Sequence, residues 1–413
     1  MLVNSGNLRE ALREELAAVK ITDIHTHLFA PEFGDLCLWG VDELLTYHYL
    51  VAEFFRWTRM GYGEFFSLGK GAQADLIWEE LFLNRSPMSE AQRGVLTALN
   101  ALGLDVGARD LKAYRAFFDG LSREECIDLV LELSGVECVV MTNDPFDLVE
   151  RKVWESTTTI DSRFRGALRV DVLLNDFPHA CRLMLEQGYE AEESLGPKSI
   201  GEVQRFLREW LERISGLYLA ASLPAGFRAG DGSVRARLIE ECILPVCAEA
   251  NVPLALMIGA KRQVNPKLRL AGDSVGKGDI AAVEYLCARY PQNKFLVTML
   301  SRENQHELAI TARKFPNLLI FGCWWFLNNP SLVEEITRMR METLGLAFIP
   351  QHSDARVVEQ LIYKWKHAKE VVGKVLYDKY SDLLAANWTL TREELARDVQ
   401  ALFGGNFWRF IKK

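Results

Sequence analysis

Two imidazoles one residue apart, His25 and His27 in "ITDIHTHLF", close an apolar run near the start of the chain. Residues i and i+2 of a β-strand face the same side, so on a strand both rings would offer neutral nitrogens to a single cation. The same spacing also suits a hydrogen-bonded core pair. What separates the two readings is a further ligand, often a carboxylate, from a neighbouring element. The segment "IPQHSDAR" supplies a candidate in Asp354, with His352 before it and Arg356 after it. Two histidines and one carboxylate with an open position suit zinc, and manganese, iron or cobalt also fit.

Other residues with chemistry to offer stand at the ends of apolar runs. Arg169 in "ALRVD" and Arg302 in "MLSREN" could each hold a carboxylate bidentately, or pair internally with an acid such as Asp171. Trp324 and Trp325 in "CWWF" could wall a sugar pocket or fill core, and strand alternation would point them in opposite directions. His48 and Tyr49 lie in "DELLTYHYLVAE", where a helical aromatic stripe most often packs in a core.

These residues need a scaffold that brings distant segments to one face. Eight short β-branched or apolar runs occupy 19–25, 137–144, 165–171, 216–223, 252–259, 294–300, 317–325 and 346–354, and amphipathic helical patterns separate the later ones. Continuous apolar runs suit strands buried on both faces. Eight such units predict an α/β fold, a closed (β/α)8 TIM-type barrel whose catalytic residues sit at the C-terminal ends of the strands. An open doubly wound sheet is the alternative, and no GxGxxG follows the first strand to support it. In a barrel, strand eight closes beside strand one, which brings Asp354 to the height of His25 and His27. The span 30–130 breaks the βα rhythm with aromatic-rich helical patterns and is expected to be an insertion forming a lid over the mouth. The tail 380–413 is expected to dock back as helix, opening on a Thr391-to-Glu394 capping box. With no internal repeat or linker, residues 1–413 read as one domain.

Composition narrows the partners. A formal charge of -8 and a pI near 5.6 provide no basic field for nucleic acid or anionic lipid. No apolar stretch reaches the roughly 18 residues of a membrane span, and the first residues lack the apolar centre of a signal peptide. The eight cysteines form no CxxC pair and read as reduced core residues, so a cytoplasmic protein is expected. Assembly into a homo-oligomer stays open.

Taken together, "ITDIHTHLF", "DELLTYHYLVAE", "FGCWWFLNNP", "TRMRMETLG" and "PQHSDAR" resemble uronate (glucuronate) isomerase of the amidohydrolase superfamily, in particular a divergent bacterial branch, over essentially the whole chain. The resemblance implies a hexuronate substrate, with D-glucuronate converted to D-fructuronate and D-galacturonate to D-tagaturonate. It implies a metal on His25, His27 and Asp354, Tyr49 as an acid/base group and His48 as a partner for a sugar hydroxyl. For Tyr49 to act as a base, a cation such as Arg356 should favour its phenolate, because a free phenol has a pKa near 10. Arg169, Arg302 and Trp325 are then expected at the substrate. The fourth to sixth runs lack the Lys and His ligands of dinuclear relatives, which leaves one ion. Met257 stands where many uronate isomerases have a His. A mononuclear hydrolase or decarboxylase of another small acid is the alternative, since this barrel hosts many chemistries.

Overall fold

Seven of the apolar runs form parallel strands in the computed structural model, which describes residues 2–157 and 159–412. They are β1 (Ile21–Thr26), β2 (Val136–Asn143), β3 (Phe164–Arg169), β4 (Leu219–Pro224), β5 (Leu254–Lys261), β6 (Phe295–Met299) and β7 (Leu318–Ile320). Their order in the sheet follows the chain, each pairing with the next in parallel. A two-residue strand, Ser274–Val275, returns antiparallel onto the end of β5.

The eighth run departs from expectation. Residues 346–354 form no regular strand but close the gap between β7 and β1 with individual hydrogen bonds. On one side Ile349 N–H donates to Ile320 at 3.0 Å and Gly322 N–H to Ile349 at 2.8 Å; on the other, Asp354 N–H donates to His25 at 3.2 Å and His27 N–H to Ala355 at 2.7 Å. Pro350 has no N–H for a ladder, and Asp354 adopts a left-handed φ of 51° that ends any extended run. The seventh run is likewise shorter than expected, because Gly322 turns the chain at φ 63°. A side chain could not replace that glycine: a Cβ there would lie 1.8 Å from His352 Nδ1.

Between β1 and β2 the chain is helical, as the pattern of residues 30–130 suggested. Two of its helices matter here, α1 (His48–Phe54) and α2 (Glu90–Ala101). Beyond them come α3 (Leu148–Ser156), the long α4 (Gln360–Ala385) and the terminal α5 (Asn406–Lys412). α2 lies directly on α4, where a Cβ on Gly94 would sit 2.6 Å from the Tyr363 ring. His367 of α4 joins the helices through Glu90 at 2.6 Å and Thr97 at 3.0 Å.

The tail opens on the expected capping box at Thr391. α5 then docks against the inner core of the barrel: Phe407 packs with Ile24, Val140, Tyr218 and Met257, and Trp408 Nε1 donates to Thr22 at 2.9 Å. All eight cysteines are free, seven of them buried. Among the described residues, no helix is long and apolar enough to cross a membrane.

Candidate active site

The β1 strand delivers His25 and His27 to the rim of the barrel, and the hydrogen bonds around each ring determine which nitrogen carries the proton. His25 Nδ1 lies 3.2 Å from the Tyr218 hydroxyl, whose one proton is donated to the Ile24 carbonyl at 2.6 Å. The Tyr218 oxygen must therefore accept from Nδ1–H. His27 repeats the device: Thr142 Oγ1 donates to the Thr26 carbonyl at 2.9 Å and accepts from His27 Nδ1–H at 3.0 Å. Both Nε2 lone pairs are thus left facing Asp354 Oδ1, at 3.8 Å from His25 and 3.4 Å from His27. Orientation of two imidazoles by outer hydrogen bonds is the usual preparation of metal-ligating histidines.

Electrostatics agree with this assignment. Burial pulls His25 down to about 3, and burial with the nearby Arg356 guanidinium pulls His27 down to about 4, so both rings are neutral at pH 7. Burial raises the Asp354 carboxyl, and the lowering influence of His27 and His25 requires protons on those rings; with both neutral, a bound cation would supply the charge that keeps it ionised. Asp354 Oδ1 has no hydrogen-bond partner. Ligand atoms of the three residues lie within 4.8 Å of one another with no proton between them, an arrangement compatible with a divalent cation. Among the described residues no other His, Cys, Asp and Glu cluster of this kind occurs. Met257 is buried in the inner core, with no ligand atom suited to this set.

Asp23 has a different duty. Its Oδ1 accepts from Ser353 N–H at 3.0 Å and its Oδ2 from Trp365 Nε1 at 2.8 Å, which ties β1 to the turn bearing Asp354. His352, next in that turn, sits edge-on to His25 with ring centroids 5.4 Å apart, and neither ring nitrogen has a partner.

The start of α1 closes over this cluster with Tyr47, His48 and Tyr49. The Tyr47 and Tyr49 hydroxyls, His48 Nε2 and Trp325 Nε1 are all buried without partners. The His48 ring lies 4.2 Å from Tyr47, 4.6 Å from Tyr49 and 5.9 Å from Trp325, so these orphaned polar atoms belong to one aromatic group. One expectation requires correction here. Arg356 does not depress Tyr49: its field falls on Tyr47, His48 and His27. Tyr49 is pushed well above the ordinary phenol value by burial and then by Tyr47, Asp354 and Tyr363. In the free protein it is a protonated phenol, a donor rather than a base. Tyr47 was missed as a site residue, although it stands in the same "TYHY" motif.

Five arginines, Arg169, Arg235, Arg262, Arg269 and Arg356, line a cavity of about 710 Å³ above β4 and β5. A second cavity of about 340 Å³, walled by Tyr47 and His48, shares Arg269 and Arg356 with it. Arg169 is paired with Asp171 at 2.8 Å and Arg262 with Asp273 at 2.6 Å, while Arg235 donates to the Leu174 carbonyl at 2.8 Å. Among the described residues Arg356 has no ion-pair partner, and the Arg269 guanidinium lies over the face of Phe66 at 4.2 Å. The guanidinium of Arg262 also lies 5.6 Å from the Trp325 ring centroid. Arg235 comes from the short helix Val234–Arg237, Arg269 from the 3-10 segment Pro266–Gly272 and Arg262 from the turn after β5, none of them marked by a strand pattern.

Arg302 is not brought to this site. Beyond β6 a short turn directs it to the surface, where its side chain is 58% exposed and pairs with Glu335 at 3.0 Å. Strand-end position alone did not reveal which way it would project.

At the end of β2, Asn143 and Asp144 serve to hold Glu150 of α3. Asn143 Nδ2 donates to Oε1 at 2.7 Å and Asp144 N–H to Oε2 at 3.0 Å. Burial pushes this carboxyl up to about 8, against about 4.3 in an unfolded chain. Between those values the folded protein keeps a proton that the unfolded chain releases, so stability falls as pH rises from about 5 to about 8. Glu150→Gln keeps the neutral form throughout, and Asn143 Oδ1, which lacks a partner, can accept from the new amide after a flip. The variant should reduce the fall in stability over that range by on the order of 3 kcal/mol, a few degrees in thermal midpoint. Parallel pH profiles of midpoint in the two proteins would contradict this.

The fold and site together are those of a parallel (β/α) barrel with a candidate metal centre of His25, His27 and Asp354 where β1 meets the closing segment. No family model matches the chain, and no curated protein does either. Among solved structures, a uronate isomerase from Bacillus halodurans C-125 is 54% identical, with 100% of this chain and 98% of that one covered and a TM-score of 0.98. A uronate isomerase from Thermotoga maritima is 15% identical over 99% and 98% of the two chains with a TM-score of 0.80. A glucuronate isomerase from Caulobacter crescentus is 15% identical over 100% and 95% with a TM-score of 0.72; at these identities the likeness is of fold. On the first of these relatives, the chain belongs to the uronate isomerase family.

Proposed function

We propose that this protein interconverts D-glucuronate with D-fructuronate, and D-galacturonate with D-tagaturonate, with one divalent ion held by His25, His27 and Asp354. Family membership supports the aldose–ketose chemistry. The observation that carries the rest is that Arg356 and Arg169, whose charges act on His27 of the proton-free ligand set, also line the arginine-rich cavity. A volume of about 710 Å³ is in the usual range for a small-molecule site.

Isomerisation opens the sugar ring, moves a proton from C2 to C1 through an enediol and exchanges a proton between O1 and O2. Asp354, held ionised, takes the hydroxyl proton during ring opening. Tyr49 serves the C2-to-C1 transfer. Its phenol is protonated in the free protein, and it becomes a base only where a cation favours the phenolate; the adjoining His48, held well below the ordinary imidazole value by burial and Arg356, is not the acceptor of that proton. Arg356 faces the charge that develops on the enediolate oxygens. Arg169 contributes to carboxylate recognition, and Trp325 walls the sugar with its indole N–H directed at a hydroxyl. A divalent ion held by His25, His27 and Asp354 would supply Lewis acidity, either by anchoring the substrate and making its hydroxyl more acidic or by polarising its carbonyl. Zinc suits the ligand set, as do manganese, iron and cobalt.

The test is to incubate metal-loaded protein with each uronate and follow the ketose by NMR. Failure to form ketose from either acid would refute the proposal. In deuterated water the enediol route requires some solvent label in the product, whereas a hydride shift would leave the product unlabelled.

A further inference from the structure

Burying an ion costs several kcal/mol even after the surroundings relax, so an enclosed charge with no opposite partner calls for a geometric reason. Lys364 on α4 is such a group. It is 3% exposed, and its ammonium forms no ion pair among the described residues. Its hydrogen bond goes to the carbonyl of Ser353, and it lies 6.0 Å from the centroid of the Tyr47 ring.

The position of that carbonyl gives the reason. The Ser353 C=O and the Asp354 N–H are the two ends of one rigid peptide plane. Lys364 holds the oxygen end, and the His25 carbonyl accepts from the N–H end at 3.2 Å. Rotation from that plane into Asp354 is the left-handed φ of 51°, a conformation that strains a non-glycine residue and persists only where the surroundings impose it. The residue before is pinned as well, by Ser353 N–H to Asp23 Oδ1 at 3.0 Å, and the residue after by Ala355 N–H to Ser353 Oγ at 3.1 Å. The adjacent Trp365 locks Asp23 from the same helix at 2.8 Å. If the oxygen end were released, the peptide could turn over, relax the left-handed residue and swing the carboxylate away from the two Nε2 lone pairs.

We infer that Lys364 is a positioning residue for Asp354, holding the Ser353–Asp354 peptide so that the carboxylate meets His25 and His27 as a third metal ligand. It acts through the Ser353 carbonyl, its hydrogen-bond partner, rather than through a contact with the carboxylate itself. The inference rests on the metal reading of that cluster but not on the identity of the sugar acid.

Co²⁺ is a suitable probe, because its visible absorption reports ligand geometry and its affinity can be measured against a competing chelator, without turnover. In the full-length protein, Lys364→Met is expected to weaken Co²⁺ binding by about 10–100-fold, the usual effect of losing an outer support of a ligand, and to change the spectrum at saturating metal. Lys364→Arg, which keeps a cationic donor, should recover most of the affinity. A folded Lys364→Met protein with wild-type affinity and spectrum would overturn the inference. If that variant does not fold, Lys364→Gln decides by the same measurements: its amide ends one bond short of the carbonyl, so it should show the loss, and unchanged binding would again overturn the inference. Wild-type protein that binds no Co²⁺ would remove the metal reading itself. Absence of uronate turnover would remove the proposed reaction and leave this inference standing.

Discussion

Asp354→Asn is expected to abolish tight binding of the divalent ion and lower kcat/KM for uronates by about 10³-fold or more, in a chain that still folds. Metal-borne charge stabilisation contributes several kcal/mol to such reactions, and about 4 kcal/mol corresponds to that factor. The fold should tolerate the change because Asp354 Oδ1 has no hydrogen-bond partner to lose. The new amide can instead donate toward the His27 Nε2 lone pair, which now faces the carboxylate at 3.4 Å. The comparison that isolates the effect is thermal midpoint with and without added ion. The wild type gains about 2.7 kcal/mol when the free ion stands at 100 times its Kd, and the variant should gain almost nothing at the same concentration. A variant that keeps wild-type metal affinity, or loses affinity without losing activity, would show that the carboxylate is not a functioning ligand.

How far such a site can be read from a sequence depends on which constraints are local. The His25–His27 pair was legible because i, i+2 spacing is a local feature, and both Nε2 atoms come to face Asp354 although β1 itself ends at Thr26. Asp354 was legible only through the barrel, since nothing near it in the chain marks it as a ligand. Its segment was expected to be regular strand, yet the site depends on the irregularity: the left-handed turn at Asp354 is held by Asp23, His25 and Lys364, none of them a neighbour in sequence. Arg302 failed for a related reason, because the direction of a residue just beyond a strand is set by the turn that follows. Arg235, Arg262 and Arg269 stayed hidden because a helix start, a turn and a 3-10 segment far apart in the chain meet only in the folded cavity. The expected coupling of Arg356 to Tyr49 required relative positions that motif spacing does not hold, and the guanidinium acts on Tyr47 and His48 instead.

That displacement of Arg356 gives it a signature opposite to that of the ligands. Its guanidinium lines both cavities and has no ion-pair partner among the described residues, so the free protein surrenders no ion pair when it is removed. Arg356→Met should therefore leave the thermal midpoint within a few degrees of wild type. Turnover should suffer: truncating one member of a desolvated charge contact costs about 2–5 kcal/mol, and a value near the middle lowers kcat/KM by about 10²- to 10³-fold. Arg356→Lys should recover only part, since an ammonium cannot reproduce a bidentate contact. Metal binding should move the other way. The positive charge that pulls His27 down equally repels a cation held by that ring, so its removal should leave affinity unchanged or tighter. Loss of kcat/KM with metal retained places Arg356 at the substrate, and loss of both would make it a support of the metal site. Wild-type kcat/KM in the variant would remove it from the reaction altogether.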